Sequence, residues 1–245
     1  MTTTHDISCR RDMVTGAAHR TGRALALALA RAGADVAVHY GSSQAEAESA
    51  AAEIEALGRR ALPFSADLTD AAATASAFAA AIETLGGLDV LVNNVGTIVW
   101  KPLDALSTED WQTCLGGTLY ATLHASQASL SALRASGRGR IVNILDADAD
   151  STAPVPFATA YKIGKRGTYT LTKTMAVTEA PHGVTVNAVS PGTLEDSPTK
   201  PNLEKIPAGR WGTYEDINQA VLYLASDAAC YVSGAHLKVS GGYLV

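Results

Sequence analysis

This sequence lacks the marks of a disulfide framework, a membrane span and a nucleic-acid grip. Its three cysteines, Cys9, Cys114 and Cys230, are odd in number and form no C-x-x-C pair. Neither a disulfide scaffold nor a thiolate metal site is expected, and a reduced, cytoplasmic setting fits. The longest apolar run, around Ala24–Ala30, is far too short to cross a bilayer. The opening MTTTHDISCRRD carries no apolar core of the kind a signal peptide needs. Lys and Arg number 19 against 24 acids, a net charge of −5 with no basic cluster, which argues against a nucleic-acid footprint. The histidines show no H-E-x-x-H or other metal spacing. Asp146, Asp148 and Asp150 alternate as at the start of a calcium loop. Such a loop needs a glycine and a bidentate acid further on, where Ser151 and Phe157 stand. No metal is expected.

What is present is core material: 47% of the 245 residues are hydrophobic and only 18% charged. Short apolar runs alternate with alanine-rich helical stretches. "MVTG", "ADVAVHY", "RALPFSADL", "LDVLVNNVG", "RIVNIL", "GVTVNAVSPG" and "AHLKVSGG" read as strands. Between them lie helical patterns, the longest spanning about Ser107 to Arg134 and about Ala160 to Glu179, the latter stopped by Pro181. Thr69 and Asp70 are capping candidates for the helix that follows them. Near-continuous apolar strands separated by helices predict a parallel sheet covered on both faces. With no linker, repeat or low-complexity tract, the expectation is one doubly wound α/β domain over residues 1–245. In such a sheet, ligands sit beyond the carboxyl ends of the strands. Each strand here does end in small or polar residues.

"VTGAAHRTGRA" follows the first strand and opens a helix, where glycines allow close approach of a pyrophosphate and the helix N-terminus supplies N–H donors. Gly16 and Gly22 are in place, with Arg20 where a middle glycine is expected. An ordinary tight turn is the plainer reading of that stretch taken alone. The second strand ends in His39-Tyr40-Gly41-Ser42 with no acid to hold a ribose 2′-hydroxyl. A 2′-phosphate can then be accommodated, with His19, Arg20 and Ser42 as donors, so NADP(H) is favoured over NAD(H). The plainer alternative is that Arg20 pairs with a surface acid.

Thr15-Gly16 with Gly22, Asp67-Leu68, Asn93-Asn94-Val95-Gly96, Tyr161-x-x-x-Lys165 and Asn187-x-x-x-Pro191-Gly192 occur in the order of the short-chain dehydrogenases/reductases, and the sequence resembles that family over nearly its whole length. The resemblance implies a seven-stranded, mostly parallel Rossmann-like sheet, a nicotinamide cofactor and a homodimer or homotetramer. It also implies a set of cofactor-binding residues. These are Thr15, Gly16, His19, Arg20, Thr21 and Gly22 in the first turn, and His39, Tyr40 and Ser42 after the second strand. Asp67, Leu68, Asn93, Val95, Gly96, Tyr161, Lys165, Pro191, Gly192 and Thr193 complete it. Within the family, "TGAAHRTGRA" and "VHYGSS" look most like the pteridine-reductase branch, which also places Asp at the usual catalytic serine. In "NILDA" against the usual "NISSA" that residue is Asp146. Three features depart from the pattern: Asp146 to Tyr161 is two residues longer than usual, so Asp148 is a second candidate for the slot; Thr118 aligns with the relay asparagine; and the segment from Gly192 to Gly209 is short for a substrate lid. Arg11 and Asp12 also fall in a first strand that is normally apolar.

Tyr161 and Lys165, four residues apart on a helix, share a face. An ammonium there is expected to draw the phenol's pKa down, making Tyr161 the acid for reduction. A carboxyl at position 146 can pair with a cationic nitrogen where a serine could only hydrogen-bond a carbonyl. The leading expectation is an NADPH-dependent reductase of C=O or C=N bonds in a small molecule, with Tyr161, Lys165 and Asp146 catalytic. A 3-oxoacyl-thioester reductase is the alternative enzyme, and a cofactor-binding scaffold or sensor without catalysis is the alternative of another class. Asp150 reads as a solvated loop residue.

Overall fold

Seven parallel strands, in the order β3-β2-β1-β4-β5-β6-β7, form the middle of this computed structural model, which describes residues 7–198 and 200–244. They are β1 (Arg11–Val14), β2 (Asp35–Tyr40), β3 (Ala61–Ser65), β4 (Val90–Asn93), β5 (Arg140–Ile144), β6 (Thr185–Pro191) and β7 (His236–Val239). Seven α-helices cover the two faces: α1 (Arg20–Arg31), α2 (Gln44–Ala56), α3 (Ala71–Leu85), α4 (Thr108–Leu115), α5 (Ala121–Ala135), α6 (Thr159–Glu179) and α7 (Tyr214–Ala225). The alternation of strand side chains divides the core. Val14, Val36, Val38, Val142 and Val189 pack against α1 and α7, while Met13, Leu91, Ile141 and Val186 pack on the other face against α3 and α5. The predicted Rossmann-like architecture is what the chain adopts. No helix among the described residues is long and apolar enough to cross a membrane.

Local chemistry sets the helix boundaries. Asp70 caps α3 by accepting from Ala72 N and Ala73 N, and Gly86 ends it in the left-handed region at φ 85°. Ser107 with Asp110 and Thr213 with Asp216 form capping boxes at the starts of α4 and α7. Pro181 falls in the 3₁₀ turn that follows α6. The helix expected over residues 107–134 is not continuous: a π-helical turn, Gly116–Tyr120, separates α4 from α5, and Thr118 lies buried within it. Two adjacent glycines with no side chains to pack are where the regular ladder widens.

The polar first strand has a structural role at the end of the sheet opposite the crevice. Asp89, fully buried, accepts from Arg11 Nε at 2.9 Å and from Arg138 Nε at 3.1 Å. Burial raises its pKa, but these hydrogen bonds outweigh that and hold the carboxyl below its usual range. Arg10, 1% exposed, binds the Arg138 carbonyl and Asp227. Asp12 is different. Both its oxygens are buried without a partner, and burial pushes its pKa well above the carboxylate range.

Candidate active site

The crevice forms where β1 meets β4, the point at which strand order reverses, and its first wall is the turn after β1. Gly16 adopts φ 62°, a conformation that a side chain strains. A Cβ on Gly22 would stand 2.1 Å from the Gly16 carbonyl oxygen, so only glycine permits this contact of helix and turn. Asn94, part of the quoted motif but not among the cofactor-binding candidates, stitches the turn to β4: its Nδ2 donates to the carbonyls of Thr15 at 3.1 Å and Gly16 at 3.2 Å. Asn93, by contrast, turns inward and donates to Ser126 Oγ and Asn143 Oδ1, bracing the strands.

A cavity of ≈ 380 Å³ opens beside this turn, lined among others by Gly16, His39, Ser42, Asp67, Leu68 and Val95. His39 stands in it as a neutral brace. Its Nδ1 accepts from Gly16 N at 3.0 Å and its Nε2 lies 3.1 Å from the Ala66 carbonyl, which sets the tautomer. Burial lowers its pKa to about 4. His19 is exposed at the head of α1, with Thr21 beside it. Asp67 accepts from Thr69 N and Oγ1, which lowers its pKa and fixes the turn after β3. Tyr40 ends β2, and Pro191, Gly192 and Thr193 follow from β6 into the crevice rim, where a Cβ on Gly192 would collide with Ser240 Cα at 2.7 Å.

Arg20 sits where a glycine was expected and adopts a glycine's backbone, φ 46°. Its guanidinium lies 3.3 Å from Asp196 Oδ2 and also meets Tyr214. Asp196 in turn accepts a hydrogen bond from the Tyr214 hydroxyl. The acid on the segment after β6 is thus Arg20's partner here, the plainer of the two expectations.

The second wall carries the candidate reacting groups. Tyr161 and Lys165 lie one turn apart on α6, with Lys165 Nζ 5.8 Å from the Tyr161 ring centroid. Gly96 closes against both: a Cβ there would come within 3.1 Å of Lys165 Nζ. Lys165 is buried and donates to the Ile144 carbonyl at 2.7 Å. Burial lowers its pKa to about 8. Tyr161 does not follow the expectation that Lys165 would draw its pKa down. Burial first, then Asp146 and Asp148, raise it. The raised pKa keeps the phenol protonated and makes it a weaker acid than the sequence led one to expect.

The loop after β5 answers where the alternating aspartates go. Asp146 Oδ2 and Asp148 Oδ1 both accept from Lys162 Nζ, at 2.6 Å and 2.7 Å. Asp150, expected to be merely solvated, pairs with Lys238 at 2.8 Å and faces His236. Among the described residues no group of His, Cys, Asp or Glu could hold a metal ion. Ser190 Oγ donates to the Asp146 carbonyl at 2.8 Å and lies 2.6 Å from His236 Nε2, tying the loop to β6 and β7. Lys162 and His236 went unnoticed in the sequence because nothing in their spacing separates them from surface or core residues.

Residues 16–244 match the family profile described as enoyl-(acyl carrier protein) reductase. The chain belongs to the short-chain dehydrogenase/reductase family. It is 32% identical over 243 residues to an L-rhamnose 1-dehydrogenase (NAD(P)(+)) of Sphingomonas sp., covering 95% of each chain. It is 33% identical over 238 residues to a 3-oxoacyl-(acyl carrier protein) reductase of Staphylococcus aureus, covering 94% of this chain and 96% of that one. Among solved structures, a short chain dehydrogenase of Burkholderia cenocepacia in complex with NADP superposes with a TM-score of 0.89 at 32% identity, covering 96% of this chain and 98% of the other. The protein is therefore an oxidoreductase of this family. The glycine cradle at Gly16 and Gly22, closed to any Cβ, and the open cavity beside it fit a dinucleotide.

Proposed function

We propose that the protein is an NADPH-dependent reductase of C=O or C=N bonds in a small molecule. The observation that carries this reading is Tyr161 and Lys165 on one face of α6, with Lys165 anchored on the Ile144 carbonyl at 2.7 Å. NADPH, when bound, supplies the hydride. The residues for it are Thr15, Gly16, His19, Arg20, Thr21 and Gly22 on one side. Tyr40, Ser42, Asp67, Leu68 and Val95 would line its adenosine and ribose end, Gly96 would lie beside Tyr161 and Lys165, and Pro191, Gly192 and Thr193 would serve its other end. His39 and Asn93 serve by holding the turn and the strands beneath it. Preference for the 2′-phosphate is supported by the lack of an acid after β2 and by the similar Burkholderia cenocepacia dehydrogenase solved in complex with NADP.

At the reacting centre, Tyr161 holds the proton that passes to the carbonyl oxygen or imine nitrogen, and Lys165 places an ammonium beneath it. Asp146 occupies the position of the usual serine and accepts a charge-assisted hydrogen bond from a protonated nitrogen on the substrate. The combination of Arg20, His39-Tyr40 and Asp146 supports a nitrogen-containing, imine- or pterin-like substrate. NADPH oxidation with a dihydropterin, a cyclic imine and the matched cyclic ketone, NADH as control, tests this. Faster turnover of the nitrogen compounds is expected, and equal turnover in Asp146→Ser would refute the role of the carboxylate.

A second reading is favoured by one observation. The segment after β6 is pinned to the end of the sheet, Gly212 N donating to Thr193 O and Ala208 N to Gly241 O. A short, tethered segment leaves room for a carrier-bound 3-oxoacyl thioester, the substrate named for the Staphylococcus aureus relative. Intact Tyr161 and Lys165 speak against a scaffold without catalysis. The exposed apolar side chains of Tyr120 on the π-helical turn, and Ile163 and Val177 on α6, support assembly into a homodimer or homotetramer.

A further inference from the structure

An aspartate in place of a serine brings a mechanical difficulty. A serine hydroxyl is placed by one torsion, whereas a carboxylate stands further out on two, and the second is broad. The loop from Asp146 to Asp150 is well fixed as backbone: Leu145 N donates to the Val189 carbonyl at 2.8 Å, and Ser190 Oγ donates to the Asp146 carbonyl. None of this orients the carboxylate. Asp146 Oδ1 reaches only Ala147 N of its own loop, at 2.9 Å.

Lys162 supplies the missing restraint. Its side chain is 17% exposed and its Nζ lies between Asp146 Oδ2 and Asp148 Oδ1, themselves 25% and 18% exposed. The residue next to Tyr161 on α6 thus grips the loop that carries Asp146. Asp148, two residues beyond Asp146, brings a second carboxylate to the same ammonium. Burial alone would lower the pKa of Lys162, but the two carboxylates outweigh it and raise it, so the ammonium persists.

We propose that Lys162 is a positioning residue that locks the Asp146 carboxylate beside Tyr161, with Asp148 as its second anchor. The proposal rests on the reading of Asp146 as a group that touches substrate. On this proposal Asp146 faces the substrate and Asp148 serves the clamp. Loosening the clamp lowers kcat with the matched imine while leaving NADPH binding unchanged, because misplacement of a reacting group by an ångström costs on the order of 100-fold.

The test compares Lys162→Met and Lys162→Arg in the full chain. The imine and ketone of the panel above are the substrates, and quenching of protein fluorescence by NADPH monitors cofactor binding. Lys162→Met is expected to lower kcat on the imine by on the order of 100-fold, and Lys162→Arg to restore most of it. In an Asp146→Asn, Asp148→Asn background, Lys162→Met should have no further effect, since nothing remains to be positioned. An equal loss in both backgrounds, or no loss at all, overturns the proposal. Should the unaltered chain oxidise NADPH with none of the probes, the reading of function fails, and the clamp is judged by itself. The ¹⁵N-detected ammonium signal of Lys162 must then be held against exchange in the unaltered chain and lost in the double Asn variant. Its absence from the unaltered chain overturns the clamp.

Discussion

Lys165 Nζ donates to the Ile144 carbonyl at 2.7 Å, so α6 is bonded directly to the last residue of β5. Burial has lowered the pKa of this lysine to about 8. Above that value the ammonium is lost, so kcat/KM should fall as pH rises through about 8. Lys165→Met should lose on the order of 100-fold in kcat/KM and abolish that limb of the profile. A profile flat from pH 7 to 10 would contradict the role of the charge.

His39 makes the fold sensitive to acid. Its pKa is about 4 in the folded chain because burial disfavours the imidazolium, against an ordinary value of 6.5. The unfolded chain binds more protons between these values, so stability is full above about pH 6.5 and falls as pH drops toward 4. The loss amounts to about 3 kcal/mol at most. Urea denaturation at pH 7 and pH 5 should show it, and His39→Gln should flatten the dependence while costing stability at pH 7.

Asp12 should be worth replacing. It pairs in register with Val36 on β2 and Val90 on β4, and its carboxyl has no hydrogen-bond partner. Its folded pKa is raised, so its contribution worsens as pH rises from about 4 toward that raised value. Asp12→Val should stabilise the protein by about 1–3 kcal/mol at pH 7 and by less at pH 4, measured by chemical denaturation. A destabilised variant would show that the carboxyl has a partner in solution.

Arg20 holds a backbone conformation that costs a non-glycine residue about 1–2 kcal/mol. Arg20→Gly removes that strain together with the contacts to Asp196 and Tyr214, so the melting temperature should change little. Selectivity for NADPH over NADH should fall about tenfold, since a charge-assisted contact contributes about 1.4 kcal/mol or more. Unchanged selectivity would confine Arg20 to the Asp196 contact.

Much of this was legible beforehand because periodicity and fixed spacing carry it. The apolar strand runs announced a parallel sheet, and Tyr161 with Lys165 announced a shared helix face. What escaped notice depends on partners far away in the chain. Arg11 and Asp12 looked anomalous until Asp89 and Arg138 were placed beside Arg11. Arg20 carried no sign of Asp196, 176 residues away. The break at Gly116–Tyr120 was hidden because a π turn and an α turn share nearly the same apolar pattern.

The charged cluster on Asp89 has a further consequence for how the sheet can vary. A parallel strand that slipped by one residue would turn Arg11 into the layer that now holds Val14 and part it from the carboxylate it shares with Arg138. Three segments that begin β1, β4 and β5 are thereby indexed at one end by a single buried acid. At the opposite ends the loops are set by contacts of their own, Asn94 to the turn after β1 and Asn93 to Asn143, so a change in one loop leaves the Asp89 index in place. A chain built this way is suited to loop transplantation from its relatives, with Asp89 as the fixed datum from which every graft is measured.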